Sequence, residues 1–394
     1  MKTSGLKYTC LFGGGGARGF AYCGAVRALE ELGVELDMLG GSSVGSIYSA
    51  LYAVGYSSKE LEEITLRVNF ELFRDLKFGL GKDFALSKGE VFTDWMRELL
   101  AKKVWANNPE KMSQPVTFKD IEFPLVVITT NLSNFKCQEF SKYTTPDYEV
   151  AQAIRISCSM PGLMTPTHID GMTLVDGDLH KNMPMWKLSE SVMKMSDRII
   201  ELRLEGDYSG KERNAVDFLN TIYSCLMYVG SEFVSSLYRK NDRYECIKIN
   251  TRDTIIVDFN MSMASRRKLF EIGYQDVMNY FKSFLPLKKR FLLEKYKSMF
   301  IWLKEFDLGV RSGFVGKSKT SLGELFIELA DSRDNIDEKI YIECIDLKNI
   351  FKSSLRQGLL GERISEPQKI NKISGCILEM VSKKIQELEN YVDK

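Results

Sequence analysis

A chain of 394 residues is long enough for one large α/β domain with an accessory segment. Its apolar content of 44% and charged content of 27% are those of a folded globular protein, and 54 basic against 53 acidic residues leave a net charge of +1. That balance argues against a nucleic-acid binder driven by phosphate contacts, and no run approaches the ~20 apolar residues that span a bilayer.

In chain order, Leu6 to Phe12 reads as a short apolar strand and Gly13 to Gly19 as a glycine loop. Phe20 to Leu32 has helical spacing, with Ala21, Ala25, Ala28 and Leu29 near one face, and stops at Gly33. Val34 to Leu39 is a second strand, Gly40 to Gly45 a tight turn, and Val44 to Val54 a helix ending at Gly55. Strands alternating with helices predict a mostly parallel sheet with right-handed crossovers. Leu61 to Leu100 reads as largely helical with a break near Phe78 to Phe84, either a lid or a surface excursion. Pro124 to Leu132 is the clearest buried strand, Tyr148 to Ile156 a helix, Met172 to Val175 and Ile199 to Leu204 strands, and Val216 to Lys240 a long helix. Beyond Asp258 glycine thins out. Ser265 to Phe284 and Leu287 to Phe306 read as helices separated by Pro286, and Asp337 to Lys394 as mostly helical. The expected division is residues 1–285 for the α/β domain that carries the motifs, an acyl hydrolase by the resemblance given below, and 286–394 for a helical accessory region of unknown role.

The 8 cysteines form no CxxC pair and there are 2 histidines, so a structural zinc site has no support, and scattered thiols fit a reducing compartment. No leader-type apolar segment precedes the glycines, which leads us to expect a cytoplasmic protein.

Three motifs carry chemistry. Gly13-Gly14-Gly15-Gly16-Ala17-Arg18-Gly19, between a strand and a helix, is an anion cradle. Glycines let backbone N–H groups face a ligand, and the helix N-terminus adds partial positive charge. Gly14-x-Gly16-x-x-Gly19 also fits the dinucleotide fingerprint, with Glu35 or Asp37 as the ribose-binding acid. A phosphate-binding P-loop is excluded because no Gly-Lys-Ser/Thr follows. Gly41-Ser42-Ser43-Val44-Gly45 is a G-x-S-x-G sequence placed as a nucleophile elbow, the alternative being a plain helix-capping turn. Asp176-Gly177 at a strand end supplies a carboxylate that can act as base for a serine, the alternative being a solvated Asp-Gly turn.

These motifs, together with Ala153-Ile154-Arg155-Ile156-Ser157-Cys158-Ser159-Met160-Pro161-Gly162, resemble the patatin-like phospholipase family in order and spacing from Leu6 to Leu204. The resemblance implies a three-layer α/β/α sandwich and a Ser-Asp dyad without histidine. By position it implies Ser43 as nucleophile, Asp176 as general base and the Gly14, Gly15 and Gly16 amides as oxyanion hole. Arg18, Gly19, Gly41, Gly45 and Gly177 would be supporting residues, with no metal and no cofactor. One departure is Asp178, where the family usually carries Gly or Ala. Pointing inward it would set a second carboxylate beside the base; we expect it to point to solvent. A Ser43-His180 triad is an alternative, and His168 reads as a surface residue.

The implied function is cleavage of fatty acyl esters of phospholipids or lysophospholipids. Acyl transfer or neutral-lipid hydrolysis on the same dyad, and a nucleotide-binding or non-catalytic interaction module, are the alternatives. Leu287 to Phe306 sets Leu292, Tyr296, Met299 and Leu303 at helical spacing, with Phe300 nearby and Lys288, Lys289, Arg290, Lys295 and Lys297 around them. Such a basic amphipathic helix either touches a membrane transiently or packs on a core.

Overall fold

The computed structural model describes residues 7–69, 85, 87–180, 198–207, 221, 225, 244–256, 258–313, 315–332, 336–358 and 361–392. The expected break at 78–84 and most of the expected helix at 216–240 lie outside them. The chain falls into two compact units, with the described residues up to Asn279 in the first and those from Tyr280 onward in the second.

The first unit is built on an eight-stranded sheet. Its strands are β1 (Lys7–Phe12), β2 (Glu35–Ser42), β3 (Leu125–Asn131), β4 (Lys136–Ser141), β5 (Thr167–Ile169), β6 (Met172–Val175), β7 (Arg198–Glu205) and β8 (Tyr244–Asn250). The order is β5-β6-β3-β2-β1-β7-β8, with β4 added to β3. The β1–β2, β2–β3, β1–β7 and β7–β8 pairs are parallel, and only the β3–β4–β5–β6 corner is antiparallel. Helices α1 (Ala21–Glu31), α2 (Val44–Ala53), α3 (Ser58–Arg67), α4 (Glu90–Val104), α5 (Val150–Ser157) and α6 (Met263–Asn279) flank it. The alternation of the sequence therefore yields the expected mostly parallel α/β architecture. β3 is buried at every position, as its continuous apolar run requires.

Pairing along β3 positions the site. β4 occupies one edge of β3 from Val126 to Asn131. Along the other edge β2 runs up to Ser42, opposite Ile128, and β6 arrives from the opposite direction with Val175 opposite Thr130. Two strands thus end head to head on one edge, one residue of β3 apart. The residues that follow them are Ser43 and Asp176.

The second unit is helical: α7 (Leu285–Arg311), α8 (Val315–Ser332), α9 (Glu338–Ser354) and α10 (Pro367–Val392), with an antiparallel hairpin of β9 (Leu355–Gly358) and β10 (Gly361–Ile364). Pro286 stands in the first turn of α7, where its missing N–H is tolerated, so it opens that helix. Leu292, Tyr296, Met299 and Leu303 form the inward face of α7 and pack in this unit's own core with Phe306, Phe351, Ile370 and Ile377. The apolar stripe read from the sequence is thus filled by neighbouring helices. A 3.6-residue period signals that a face is covered and not by what. Lys289 is buried as well, at 3% exposure, and does not belong to the basic surface.

Candidate active site

The elbow is held by sterics. Ser43 carries φ +48° and ψ −131°, a conformation L-residues rarely adopt, and it stands between the last residue of β2 and the first of α2. That backbone is tolerated because its surroundings determine it. Gly45 passes so close to Phe12 that a Cβ there would overlap the Phe12 carbonyl, which forces glycine two residues after the serine. Gly41 lies against Gly45, and Gly19 against Val44. The Ser43 N–H donates to Ser157 Oγ at 2.9 Å, and that hydroxyl donates to the Ile128 carbonyl at 2.6 Å. Ser46 Oγ donates to the Ser43 carbonyl at 2.6 Å.

Asp176 completes the pair. Ser43 Oγ donates to Asp176 Oδ2 at 2.7 Å, and the Asp178 N–H donates to Asp176 Oδ1 at 2.8 Å. The Asp176 N–H donates to the Ser159 carbonyl at 3.0 Å. Asp176 is 1% exposed, whereas Ser43 is partly open. Gly177 packs against Ile128 and Ser42. A buried carboxylate within hydrogen-bond reach of a partly accessible hydroxyl on a strained turn has the geometry of an activated nucleophile. Cys158 lies close by. Burial first, and then the Asp176 charge, push its thiol well up, so it stays protonated.

The glycine loop lies after β1, beside the elbow. Arg18 is buried and donates from Nε to the Thr254 carbonyl at 2.8 Å, and the Ala17 N–H donates to the Ile256 carbonyl at 2.7 Å, so the 254–256 segment holds the loop in place. Tyr22 donates to the Gly13 carbonyl at 2.6 Å and to the Leu202 carbonyl at 3.1 Å. Its phenol is pushed well up by burial and by the nearby Asp178 and Glu201 charges, so it remains a donor. Among the described residues the Gly15 and Gly16 amides have no acceptor, which leaves two N–H groups for a ligand.

Asp178 departs from expectation. It is 2% exposed and turned inward, and its Oδ1 accepts from the Gly14 N–H at 3.2 Å and from the Ser42 hydroxyl. The Asp-Gly turn does not end at the surface. It continues as a 3-10 turn (Gly177–His180) that carries the next side chain back toward the glycines. The Gly14 amide, read as an oxyanion donor, is therefore already engaged. Ser157 and Ser42 were not assigned roles from the sequence, although Ser157 lies within the motif stretch and Ser42 adjoins the nucleophile.

Ser43 Oγ meets Asp176 directly; the His180 side chain of the histidine alternative lies outside the described residues, and His168 is exposed, with its Nδ1 3.2 Å from the Thr173 hydroxyl. The ribose-acid assignment also fails. Glu35 pairs with Lys7 at the start of two parallel strands, while the glycine loop follows Phe12, paired with Gly41 at their far end. Glu35 and Asp37 thus stand toward the wrong end of the sheet to meet a ligand on the loop. No group of side chains suited to hold a metal ion occurs among the described residues.

A model of the patatin-like phospholipase family matches residues 11–188. An uncharacterised protein, R571, of Acanthamoeba polyphaga mimivirus is 28% identical over 277 residues, which is 67% of this chain and 90% of the relative. Lysophospholipase NTE1 of Mycosarcoma maydis is 31% identical over 190 residues, 46% of this chain but 9% of that much longer protein. The crystal structure of VipD from Legionella pneumophila superposes with a TM-score of 0.53 at 14% identity, covering 97% of this chain and 90% of that one, a likeness of fold.

Proposed function

The chain carries a patatin-like phospholipase domain at residues 11–188, and from that premise we propose that it hydrolyses fatty acyl esters of phospholipids or lysophospholipids with Ser43 as nucleophile and Asp176 as base. The match to that family model supports a lipid hydrolase. The relative named as a lysophospholipase supports the substrate class. The single observation that carries the residue roles is the 2.7 Å hydrogen bond from Ser43 Oγ to Asp176 Oδ2.

The steps follow from these positions. Asp176 takes the Ser43 proton as Oγ adds to the ester carbonyl. The tetrahedral oxyanion turns to the glycine-loop amides, each such donor being worth about 3–4 kcal/mol in serine enzymes. Asp176 returns the proton to the departing alcohol oxygen. Water then adds to the acyl-serine with Asp176 again as base, releasing the fatty acid and restoring Ser43. The 2.8 Å bond from the Asp178 N–H to Asp176 Oδ1 fixes which carboxylate oxygen faces the serine.

A lipid enzyme must also meet an interface, and no helix among the described residues is long and apolar enough to cross a membrane. A transient contact through 287–306 would use the face of α7 that its own core leaves open. There Leu287, Phe291 and Ile301 are 64%, 49% and 54% exposed, with Arg290 also exposed and Lys288 and Lys295 partly so.

The test is fatty-acid release from mixed phospholipid and lysophospholipid vesicles, run with serine labelling by a fluorophosphonate. Wild type should release acid and label; Ser43→Ala should do neither; Asp176→Asn should keep its fold and release none. Labelling that survives in Ser43→Ala would place the nucleophile elsewhere. For the interface, Leu287→Glu with Phe291→Glu should weaken vesicle co-sedimentation while leaving hydrolysis of a soluble short-chain ester unchanged.

A further inference from the structure

The Gly14 N–H points at an oxygen anion, but the anion belongs to the protein. Asp178 Oδ1 receives it at 3.2 Å, and the Ser42 hydroxyl donates to the same oxygen. The other carboxylate oxygen, Oδ2, is buried with no hydrogen-bond partner among the described residues. It lies against the Gly14 Cα so closely that a Cβ on Gly14 would overlap it. Ser42 immediately precedes the nucleophile, and the Asp178 N–H orients the base at 2.8 Å. One side chain therefore touches the glycine loop, the elbow and the dyad turn.

A carboxylate and the oxyanion of a tetrahedral intermediate seek the same donors. While the Asp178 carboxylate sits on Gly14, the cradle lacks one amide, and a fixed negative charge stands beside the place where negative charge must develop. The arrangement is also poorly satisfied. A buried carboxylate oxygen without a donor is an unfavourable group; among the described residues the closed position is held through one oxygen, which leaves it open to displacement.

Accepting the Ser43–Asp176 reading, on which the argument rests, we propose that Asp178 is a resident occupant of the oxyanion cradle that holds the site in a low-activity state until its carboxylate is displaced. Removing the carboxylate should then speed the reaction.

The experiment compares wild type, Asp178→Gly, Asp178→Asn and Ser43→Ala by fluorophosphonate labelling rate and by kcat and KM on a soluble short-chain ester. Asp178→Gly frees the Gly14 amide. Since one oxyanion donor changes kcat by about 10²–10³-fold, labelling and kcat should rise by at least about tenfold, with KM little changed. Asp178→Asn keeps an acceptor on Gly14 but loses the charge, so it should fall between wild type and Asp178→Gly. A merely structural role predicts the opposite sign, a slower enzyme with lower thermal stability. Folded Asp178→Gly and Asp178→Asn that label no faster than wild type overturn the proposal. So does failure of both variants to fold, which would make Asp178 a brace. If wild type and Asp178→Gly both fail to label, as Ser43→Ala must, the dyad reading itself has failed.

Discussion

The two units bury polar groups in opposite ways. In the α/β unit, Ser42, Ser157, Ser159, Asp176 and Asp178 are all at or below 2% exposure and cluster where β2 and β6 end, around a serine with positive φ. In the helical unit the buried interior is a continuous apolar cluster, and its buried carboxylate, Asp307, is answered by Ser374 Oγ at 2.6 Å and Arg311 at 2.7 Å. Buried polar atoms are costly unless paired; the α/β unit gathers several of them around Ser43, whereas those of the helical unit, such as Asp307 and Ser374, pair with one another inside a mainly apolar core. A strained serine and a cluster of buried polar side chains mark the candidate site, while the helical unit rests mainly on an apolar core.

The sharpest way to break this contrast is to remove the polar pair itself. Ser43→Ala and Asp176→Asn should each lower ester hydrolysis by at least about 10³-fold, beyond what positioning alone retains, with thermal unfolding close to wild type. Hydrolysis that persists above a hundredth of wild type in either variant would remove the dyad as the reason for the buried cluster. The counterpart in the helical unit is Phe306→Ala. Phe306 is fully buried and packs edge-on against Phe351 with centroids 5.1 Å apart. Its loss should reduce unfolding free energy by about 3–5 kcal/mol in chemical denaturation, while Ser43 labelling persists at temperatures where the variant remains folded. Labelling lost in a folded Phe306→Ala protein would mean that the helical core also shapes the site.

The same contrast decides what could be read from the sequence. That Ser43 and Asp176 would meet was legible because their motifs suggest a chemistry and because β2 and β6, the strands leading to them, have clear patterns. Met172–Val175 fell where expected, and β2 ran on through Gly40 and Gly41 to Ser42 because those residues pair with Val126 and Val127. Asp178 was not legible. Its inward direction depends on the absence of a Cβ on Gly14, 164 positions away in the chain, and no local pattern reports that contact. The short strands β4 and β5 were missed because their alternation is brief, and β8 because Glu245, Cys246 and Lys248 break its apolar run. In the helical unit, the period of α7 gave the element and its covered face, but period cannot say whether the cover is protein or lipid.

Ser157 tests whether polar burial near the dyad works through the backbone. Ser157→Ala removes the acceptor of the Ser43 N–H and the donor to the Ile128 carbonyl, leaving two buried backbone groups unpaired. The expected loss of stability is about 1–3 kcal/mol, with kcat down by roughly tenfold as the elbow relaxes. Full activity in this variant would show that glycine packing alone holds the strained serine.

The smallest effect is expected where polar groups of the α/β unit are exposed. α3 begins with a capping box in which Glu60 Oε2 accepts from the Ser57 N–H at 2.9 Å, and the same carboxylate pairs with Lys103 at 2.8 Å. The Lys103 ammonium first, and then the Ser57 N–H, bring the Glu60 carboxyl down from 4.5 to about 2. A carboxyl that ionises more readily folded than unfolded stabilises the fold above its ordinary value, and that contribution drains away as pH falls through about 2. Because the Glu60 side chain is 43% exposed, solvent screening limits the charge term to less than about 1 kcal/mol. Glu60→Gln keeps a capping group and removes the charge. Its stability deficit in denaturant titration should thus be small at neutral pH, shrink below pH 4.5 and vanish near 2, with Ser43 labelling unchanged throughout. A deficit above ~2 kcal/mol, or one independent of pH, would mean that exposed polar groups in this unit matter as much as buried ones, and the contrast between the two regions would no longer rest on burial.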